Sequence, residues 1–320
     1  MKIGRNKVPQ LALVIPCYNE ELALPHCASK VLEVFSDLQK DGIISDTSYC
    51  LFVDDGSHDA TWKQIEKTHH EGSKKFKGLK LSRNFGHQKA LLAGLEAVEG
   101  TCDCSISMDA DLQHDVNILK EMLNKYQQGY EVVLAIKNDR GDSPFKKITA
   151  LSFYRLARFL GTKIVKNHAD FRLLSRPALK ALHQFQEYNM FIRGLVPELG
   201  FKQAVVYFDV QERIAGKSKY SIYKMLSLAL NGVTSFSMAP LRLVTVVGLL
   251  VLLGSLGISA FIVFQYFNGH TIPGWTSTVL PIYFLGAIQM LSIGILGEYL
   301  GKTFLEVKRR PRYLVEEELM

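Results

Sequence analysis

Cysteine is scarce in this sequence, and the residues present do not form a recognisable cluster. The five cysteines are Cys17, Cys27, Cys50, Cys102 and Cys104, and no two of them form a CxxC pair. An odd number of scattered cysteines disfavours a disulfide scaffold or a zinc ribbon. We therefore expect the thiols to be reduced and the compartment to be reducing.

Common nucleotide-binding fingerprints are also missing. No GxGxxG follows any of the short apolar runs, and neither HExxH nor GxSxG occurs. Gly216-Lys217-Ser218 looks like the end of a P-loop, but Gln211 occupies the position of the first glycine. A dinucleotide-binding Rossmann protein and a P-loop enzyme are both disfavoured.

Charge is nearly balanced over the chain, with 38 basic and 31 acidic residues and a net charge of +7. This mild excess suits a protein that handles phosphates or lies on an anionic membrane surface. It is too small to indicate a nucleic-acid partner, and we expect none.

Charge is absent altogether from one long segment. Between Leu243 and Gly297 there is no Asp, Glu, Lys or Arg, whereas the N-terminus has no long apolar run typical of a signal peptide. Two apolar segments, Leu243–Phe267 and Trp275–Gly297, flank the turn-forming sequence NGHTIPG. At about 1.5 Å per residue, each helix is long enough for a hydrocarbon core of about 30 Å. The pattern predicts a transmembrane helical hairpin rather than two buried helices of a soluble core.

Basic residues on both sides of the hairpin predict its orientation. The connecting loop has no Lys or Arg, while basic residues precede the first segment and follow the second: Lys217, Lys219, Lys224, Arg242, Lys302, Lys308, Arg309, Arg310 and Arg312. The positive-inside rule then places both flanks in the cytosol. We expect a multi-pass protein of the cytoplasmic (inner) membrane with a cytosolic N-terminal domain.

Four parts of the chain follow from these patterns. We expect an N-terminal domain over residues 1–219, a juxtamembrane segment over 220–236, two transmembrane helices over 237–300 and a cytosolic basic tail over 301–320. The segment Tyr220–Phe236 fits an interfacial helix lying along the membrane or an ordinary domain helix equally well.

Short apolar runs alternate with helical patterns in the N-terminal domain. We predict strands at Leu11–Ile15, Tyr49–Val53, Leu79–Ser82, Cys104–Met108 and Glu131–Ile136, and helices at Glu20–Leu38, from Asp59, at Gly86–Val98 and at Asp115–Tyr126. This order favours an α/β fold with a mostly parallel sheet and helices on both faces. Ligands of such sheets bind at the carboxyl ends of the strands.

The sharpest chemical signal is Asp109-x-Asp111 at the end of the fourth predicted strand. Alternate residues of an extended segment face the same side, so both carboxylates and the amide oxygen of Gln113 can face one ligand. Mg²⁺ or Mn²⁺ prefers such oxygen ligands together with substrate phosphates. The alternative is a helix N-cap with solvated acidic residues.

Polar clusters also follow the first two strands. Asp54-Asp55-Gly56-Ser57 can accept hydrogen bonds from a nucleoside, or it can simply cap a tight turn. Tyr18, within the sequence PCYNE, can cover a flat base. Together with the acidic pair, these clusters indicate a site for a nucleoside diphosphate.

These motifs resemble a known family. VIPCYNE, VDDGSHDAT, LSRNFGHQKALLAG and SMDADLQH are similar to glycosyltransferase family 2, which has a GT-A fold. ADFRLLSR, ERIAGKSKYS and GEYLGKTFLEVKRRPRY resemble its polyprenyl-phosphate glycosyltransferases, which include bactoprenol glucosyltransferases and dolichyl-phosphate mannose synthases. The resemblance extends over residues 11–313.

The resemblance implies roles for individual residues. It implies that the nucleotide sugar is bound by Pro16, Tyr18, Glu20, Asp54, Asp55, Asn84, Lys89 and Ala110. It implies phosphate contacts from Arg140, Arg213 and Lys219, and a divalent metal ion held by Asp109, Asp111 and Gln113. Asp111 and Asp170 are the implied catalytic residues, and for Asp170 we favour orientation of the acceptor over a role as base. A salt bridge to Arg172 or Arg176 is the structural alternative.

The implied reaction is an inverting, metal-dependent transfer of a hexose from a nucleotide sugar to polyprenyl (undecaprenyl) phosphate at the cytosolic membrane face. UDP-glucose is the default donor, and a homo-oligomer such as a tetramer is implied by resemblance alone. Other hypotheses are a family 2 transferase with a non-polyprenyl acceptor, a membrane-anchored binding protein without catalysis, and a small transporter or flippase subunit. A transporter or flippase subunit is expected to have ionisable residues inside its spans. Between Leu243 and Gly297 we find only His270, and it lies in the connecting loop.

Overall fold

The computed structural model describes residues 5, 7–72, 75–111, 118–138, 168–188, 192–208, 239–268 and 274–320. The predicted juxtamembrane segment 220–236 lies outside these residues. In chain order, the N-terminal elements are β1 (Leu11–Cys17), α1 (Leu24–Lys40), β2 (Tyr49–Asp54), α2 (Thr61–Glu71), β3 (Phe76–Leu81), α3 (His87–Ala97), β4 (Cys104–Ser107), α4 (Ile118–Gln127) and β5 (Val132–Lys137). The elements that follow are β6 (His168–Ser175), α5 (Arg176–His183), α6 (Ile192–Glu198), β7 (Gln203–Phe208), α7 (Ala239–Phe267), α8 (Trp275–Val307) and β8 (Val315–Leu319).

The strands form one sheet in the order β7-β5-β6-β4-β1-β2-β3-β8. Strands β1 to β4 are mutually parallel, as are β5 and β7. Strand β6 runs antiparallel to both of its neighbours, β4 and β5, and β8 runs antiparallel to β3. The predicted α/β fold with a mostly parallel sheet is confirmed, and the five predicted strands are present with ends shifted by up to three residues.

Helices cover both faces of the sheet. Helices α1, α2 and α4 pack on one face, and α3, α5 and α6 pack on the other. Gly94 lets α3 approach the sheet closely, because a Cβ atom there would lie 2.4 Å from Val14 Cγ1 and 2.7 Å from Val53 Cγ2. This contact packs α3 against β1 and β2. All five cysteines are free and buried, in agreement with the absence of a disulfide scaffold.

The C-terminal part contains the two long helices that the uncharged segment predicted. Helix α7 has 29 residues and α8 has 33, and the described apolar side chains along them are largely exposed. Among the described residues, one segment, Phe284–Val307, is long and apolar enough to cross a membrane, with a mean hydropathy of 1.4. The transmembrane hairpin itself remains a prediction.

Residues 301–320, the predicted cytosolic basic tail, contain the end of α8 and one strand. Helix α8 continues to Val307, and Val315–Leu319 forms β8, which pairs with the edge strand β3 of the N-terminal sheet. Lys80 Nζ lies 3.1 Å from Glu316 Oε1, and Trp62 Nε1 donates to Glu317 Oε2 at 3.2 Å. The acidic residues therefore dock on β3 and α2, because an unpaired strand edge offers backbone partners and Lys80 offers a charge.

Candidate active site

The candidate site lies where β1, β2, β3 and β4 end. The parallel register brings Cys17 beside Asp54 and Asp54 beside Lys80, so the loops that follow these strands emerge at one edge. The Asp55 N–H donates to Cys17 O at 2.9 Å, and the Met108 N–H donates to Val14 O at 3.1 Å. The polar clusters of the sequence are thus brought together.

The loop after β1 is bound to the loop after β2. Pro16 is buried in β1, and Tyr18 lies edge-on to His58 with ring centroids 6.5 Å apart. Asn19 has a φ of 53° and accepts at Oδ1 from the His58 N–H at 2.9 Å. The Glu20 N–H donates to Thr61 Oγ1, also at 2.9 Å. These bonds place Tyr18 and Glu20, both half-buried, at the rim of the site.

Asp54 caps the turn after β2. Its carboxylate is buried, and Oδ1 accepts from the Ser57 N–H at 3.1 Å and from the Ser57 hydroxyl at 2.5 Å. Burial raises the pKa of Asp54, an effect that the Ser57 hydrogen bonds partly offset. The Asp54 side chain therefore caps the turn after β2, which is the alternative to a nucleoside contact that the sequence left open.

Asp55 holds the loop after β3. Its two carboxylate oxygens accept backbone N–H groups of Phe85 at 2.7 Å and Gly86 at 2.9 Å. Burial raises the pKa of Asp55, and these two N–H groups partly offset the rise. Asp55 thereby positions the exposed Asn84 and the start of α3. A direct contact of Asp55 with a nucleoside stays a prediction.

The acidic segment after β4 meets the first residue of α3. Ala110 is buried, while Asp109 and Asp111 are half-buried. His87 Nε2 lies 3.6 Å from Asp109 Oδ1 and also 3.6 Å from Asp170 Oδ2. Burial, followed by the charge of Asp111, raises the pKa of Cys27 to about 12. Within the described ranges, no group of three or more His, Cys, Asp or Glu side chains is placed to hold a metal ion.

Asp170 is a buried carboxylate bound by two arginines. Arg172, which is fully buried, donates to Oδ1, and Arg193 donates to Oδ1 at 3.0 Å and to Oδ2 at 2.7 Å. Burial alone would raise the pKa of Asp170. The adjacent His87 and the charges of Arg172 and Arg193 instead hold that pKa well below its usual range.

The salt-bridge alternative for Asp170 is thus correct for Arg172 and wrong for Arg176. Arg176 pairs with Asp103 at 3.1 Å, at the amino end of β4. Arg172 and Arg176 lie toward opposite ends of β4, because β6 runs antiparallel to it. Arg172 is opposite Ser107, and Ser175 is opposite Cys104.

Lys89 lies toward the C-terminal helix. Its Nζ atom is 3.8 Å from the centroid of the Tyr188 ring. The Tyr188 N–H in turn donates to the Glu306 carboxylate of α8 at 3.0 Å. Lys89 of α3 is therefore linked to α8 through Tyr188.

The remaining predicted site residues, Gln113, Arg140, Arg213 and Lys219, lie outside the described residues. Sequence reasoning did not single out His87 or Arg193. His87 follows the polar loop RNFG directly, and that position was a usable signal. No sequence pattern marked Arg193, because α6 brings it to Asp170 from 23 residues further along the chain.

A mostly parallel sheet with its polar loops at the carboxyl edge, and acidic residues after β4, defines a GT-A-like α/β fold. The chain belongs to glycosyl transferase family 2, which it matches over residues 12–182. The protein is therefore a glycosyltransferase with a GT-A-like domain.

Relatives extend this similarity over nearly the whole chain. The uncharacterized glycosyltransferase YkoT of Bacillus subtilis is 48% identical over 97% of this chain and 92% of the relative. The bactoprenol glucosyl transferase of Shigella phage SfX is 38% identical over 96% of this chain and 99% of the relative.

A solved structure shares the fold. The mannosyltransferase PcManGT of Pyrobaculum calidifontis, solved with GDP-Man and Mn²⁺, has a TM-score of 0.50 and 15% identity, and the match covers 94% of this chain and 86% of that one. At this identity the likeness supports the fold alone.

Proposed function

We propose that this glycosyltransferase transfers a hexose from a nucleotide sugar to polyprenyl phosphate at the cytosolic face of the inner membrane. UDP-glucose is the proposed donor, and undecaprenyl phosphate is the proposed acceptor. The product is a polyprenyl-phosphate-sugar with inverted configuration at the anomeric carbon.

One observation carries the proposal: the apolar helix α8 contacts the domain beside the acidic end of β4. Glu306 of α8 binds the Tyr188 N–H, and Tyr188 packs on Lys89, two residues after His87 in α3. A lipid phosphate lies at the headgroup level of a bilayer. If α8 spans that bilayer, its polar end holds the site at the depth where such a phosphate is found.

The named relatives support the same acceptor. The relative from Shigella phage SfX carries bactoprenol in its name, and so does a prophage homologue of Escherichia coli that is 37% identical over 96% of this chain. Bactoprenol is a polyprenyl lipid, and the matches include the two long apolar helices. We therefore extend the polyprenyl acceptor to this chain.

The donor chemistry of the site fits a divalent cation. Asp109 and Asp111 supply carboxylate oxygens from one turn, and Gln113 is a further candidate ligand. Mg²⁺ and Mn²⁺ are commonly bound by one or two carboxylates together with substrate phosphates, so a full cage of protein ligands is not needed. A bound Mg²⁺ or Mn²⁺ would neutralise the negative charge that develops on the leaving diphosphate.

The side chains around the site orient the reactants. A phosphate oxygen of the acceptor attacks the anomeric carbon, and the bond from that carbon to the diphosphate breaks with its electron pair. The acceptor is a phosphate monoester with a second pKa near 6, so it is an anion near neutral pH and needs no strong base. The low pKa of Asp170 makes this carboxylate a weak proton acceptor, which supports an orienting role.

The membrane arrangement is proposed on the same basis. Helices α7 and α8 form a hairpin across the inner membrane, with the N-terminal domain and residues 301–320 in the cytosol. The exposed apolar faces of the hairpin also suit self-association, and a homo-oligomer such as a tetramer stays a prediction.

Transfer by the purified full-length protein tests the proposal. Labelled UDP-glucose and other nucleotide sugars are supplied with undecaprenyl phosphate and Mg²⁺ or Mn²⁺, and the labelled lipid is quantified. We expect lipid-dependent transfer that stops in excess chelator. In Asp111→Asn, we expect transfer to fall by at least about 100-fold, because charge stabilisation at the leaving group is lost.

Asp37→Asn is the matched control, because Asp37 is an exposed carboxylate of α1. It is expected to retain wild-type transfer. Transfer that persists in chelator and in Asp111→Asn would contradict metal dependence. Transfer to a soluble glycan without any need for lipid would contradict the polyprenyl acceptor and favour a family 2 enzyme anchored by its hairpin.

A further inference from the structure

Two arginines share the single carboxylate of Asp170. Arg172 is fully buried and donates to Oδ1, while Arg193 donates to both oxygens at 3.0 and 2.7 Å. Asp170 itself is buried, but the Arg193 side chain is 33% exposed. One carboxylate thus binds two guanidinium groups, and the arginine that reaches the surface is Arg193.

This group lies at the reacting end of the sheet. The Ser107 hydroxyl at the end of β4 donates to Asp170 O at 2.7 Å. His87 Nε2 is 3.6 Å from both Asp170 Oδ2 and Asp109 Oδ1. Arg193 is therefore linked through Asp170 and His87 to the acidic segment proposed to hold the metal ion and the diphosphate.

We propose that Arg193 binds a phosphate group of a substrate, and that Asp170 is the positioning residue that aims it. This inference rests on the proposed function. A guanidinium has five N–H donors in a planar fork, and Asp170 accepts from two of its nitrogens. A planar guanidinium suits bidentate recognition of phosphate.

Holding Arg193 by a buried carboxylate also limits its freedom. A long side chain loses rotamer entropy when it is immobilised on binding. Here the bidentate ion pair has fixed the guanidinium before any substrate arrives. The phosphate has two possible sources in this reaction: the diphosphate of the donor and the monoester of the acceptor.

Binding and kinetics of Arg193 variants distinguish these sources. The full-length protein is compared as wild type, Arg193→Gln and Arg193→Lys. Affinity for UDP with Mn²⁺ is measured by calorimetry, affinity for undecaprenyl phosphate in detergent by thermal shift, and KM and kcat for both substrates by transfer. Loss of a charged hydrogen-bond donor is expected to weaken one of the two affinities about 10- to 100-fold in Arg193→Gln.

Arg193→Lys retains the charge but not the fork, so we expect it to recover part of that loss. Asp170→Asn should raise the KM of the same substrate whose affinity falls in Arg193→Gln, because it releases Arg193 from its ion pair. A rise confined to the KM of the lipid assigns the acceptor phosphate, and a rise confined to UDP assigns the donor. A purely structural role of Arg193 would change neither KM selectively.

Arg176→Gln is the control, because Arg176 also pairs with an aspartate but lies at the opposite end of β4. It should leave both affinities within twofold. If Arg193→Gln is folded and also keeps both affinities within twofold, the inference is overturned. If the wild type neither binds nor glycosylates undecaprenyl phosphate, the proposed acceptor is wrong, and the UDP measurement alone decides the role of Arg193.

Discussion

The Glu96 carboxylate of α3 accepts a hydrogen bond from the hydroxyl group of Tyr313, in the segment between α8 and β8. Arg312 donates to the other oxygen of Glu96 at 2.5 Å and to Phe185 O at 2.9 Å. Burial and the neighbouring Glu96 raise the pKa of Tyr313, so its hydroxyl remains a donor at neutral pH. The segment between α8 and β8 is thus hydrogen-bonded to α3, and β8 then pairs with β3.

Loss of this fastening is expected to loosen β8. In Glu96→Gln the charged acceptor of two largely buried donors disappears, so we expect a loss of about 1.5–3 kcal/mol in the stability of β8 docking. Trp62 donates to Glu317 of β8 and is one of only two tryptophans. In a Trp275→Phe background, its fluorescence during denaturation therefore reports the release of β8.

Glu33→Gln is the control for this experiment, because Glu33 forms an exposed ion pair with Lys30. Such pairs contribute about 0–1 kcal/mol, so the Trp62 transition should barely move. Equal shifts in Glu33→Gln and Glu96→Gln would contradict a specific role for Glu96.

The buried strands of the N-terminal domain were predictable because they are nearly continuous apolar runs. Strand β6 was not, because Asp170 and Arg172 make its sequence look polar, and only their ion pair allows both to be buried. Strand β8 was hidden for another reason. Its sequence, VEEEL, has no apolar periodicity, and its docking depends on Lys80 and Trp62, more than 230 residues earlier in the chain.

The candidate site was predictable as a location rather than as a set of contacts. Asp109 and Asp55 follow buried strands, and parallel strands gather such residues at one edge. What Asp55 binds was not predictable, because its partners are backbone N–H groups of the loop after β3. Arg193 reaches Asp170 through the packing of α6, which leaves no local pattern in the sequence.

Asp170→Asn is predicted to destabilise the protein in a pH-dependent way. At pH 7 it leaves the buried Arg172 without its anion, and breaking a buried ion pair typically costs about 3–5 kcal/mol. The pKa of Asp170 is lowered in the folded state, so its stabilisation is present above the unfolded value of about 3.9 and is lost as the pH falls below it. Thermal unfolding of both proteins between pH 7 and pH 3 should therefore show a difference in Tm that shrinks below about pH 4.

Asp41→Asn provides the comparison, because Asp41 pairs with Lys120 at the exposed surface. It should lower stability by less than about 1 kcal/mol. A difference between wild type and Asp170→Asn that stays constant down to pH 3 would show that the carboxylate charge is not the cause.

Gly56→Ala is predicted to displace the loop after β3. Gly56 has a φ of 64°, and a Cβ atom there would lie 2.3 Å from Arg83 C and 2.6 Å from Asn84 N. The backbone of that loop has to move away from Asp55, so we expect UDP affinity to fall on the order of tenfold, as when one charged hydrogen bond is lost. Calorimetry with UDP measures this effect, and thermal unfolding measures the loss of stability.

Gly42→Ala separates steric displacement from backbone strain. Gly42 has a φ of 67° but no atom within 4 Å of its Cβ position, so alanine there costs only the strain of a left-handed residue, about 1–2 kcal/mol. Its UDP affinity should equal that of the wild type. If Gly42→Ala and Gly56→Ala weaken UDP binding equally, contact between the two loops does not control the site.

The orientation of the hairpin can be tested with single introduced cysteines, because the five native ones are buried and should not react with an impermeant maleimide. His270 lies in the predicted outer loop, outside the described residues, whereas Lys40 is exposed on α1 of the N-terminal domain. The loop has no Lys or Arg, and basic residues flank both helices, so His270→Cys should be labelled in intact cells. Lys40→Cys should be labelled only after lysis. Labelling of Lys40→Cys in intact cells would invert the topology, and protection of both positions until lysis would mean that the two helices do not cross the membrane.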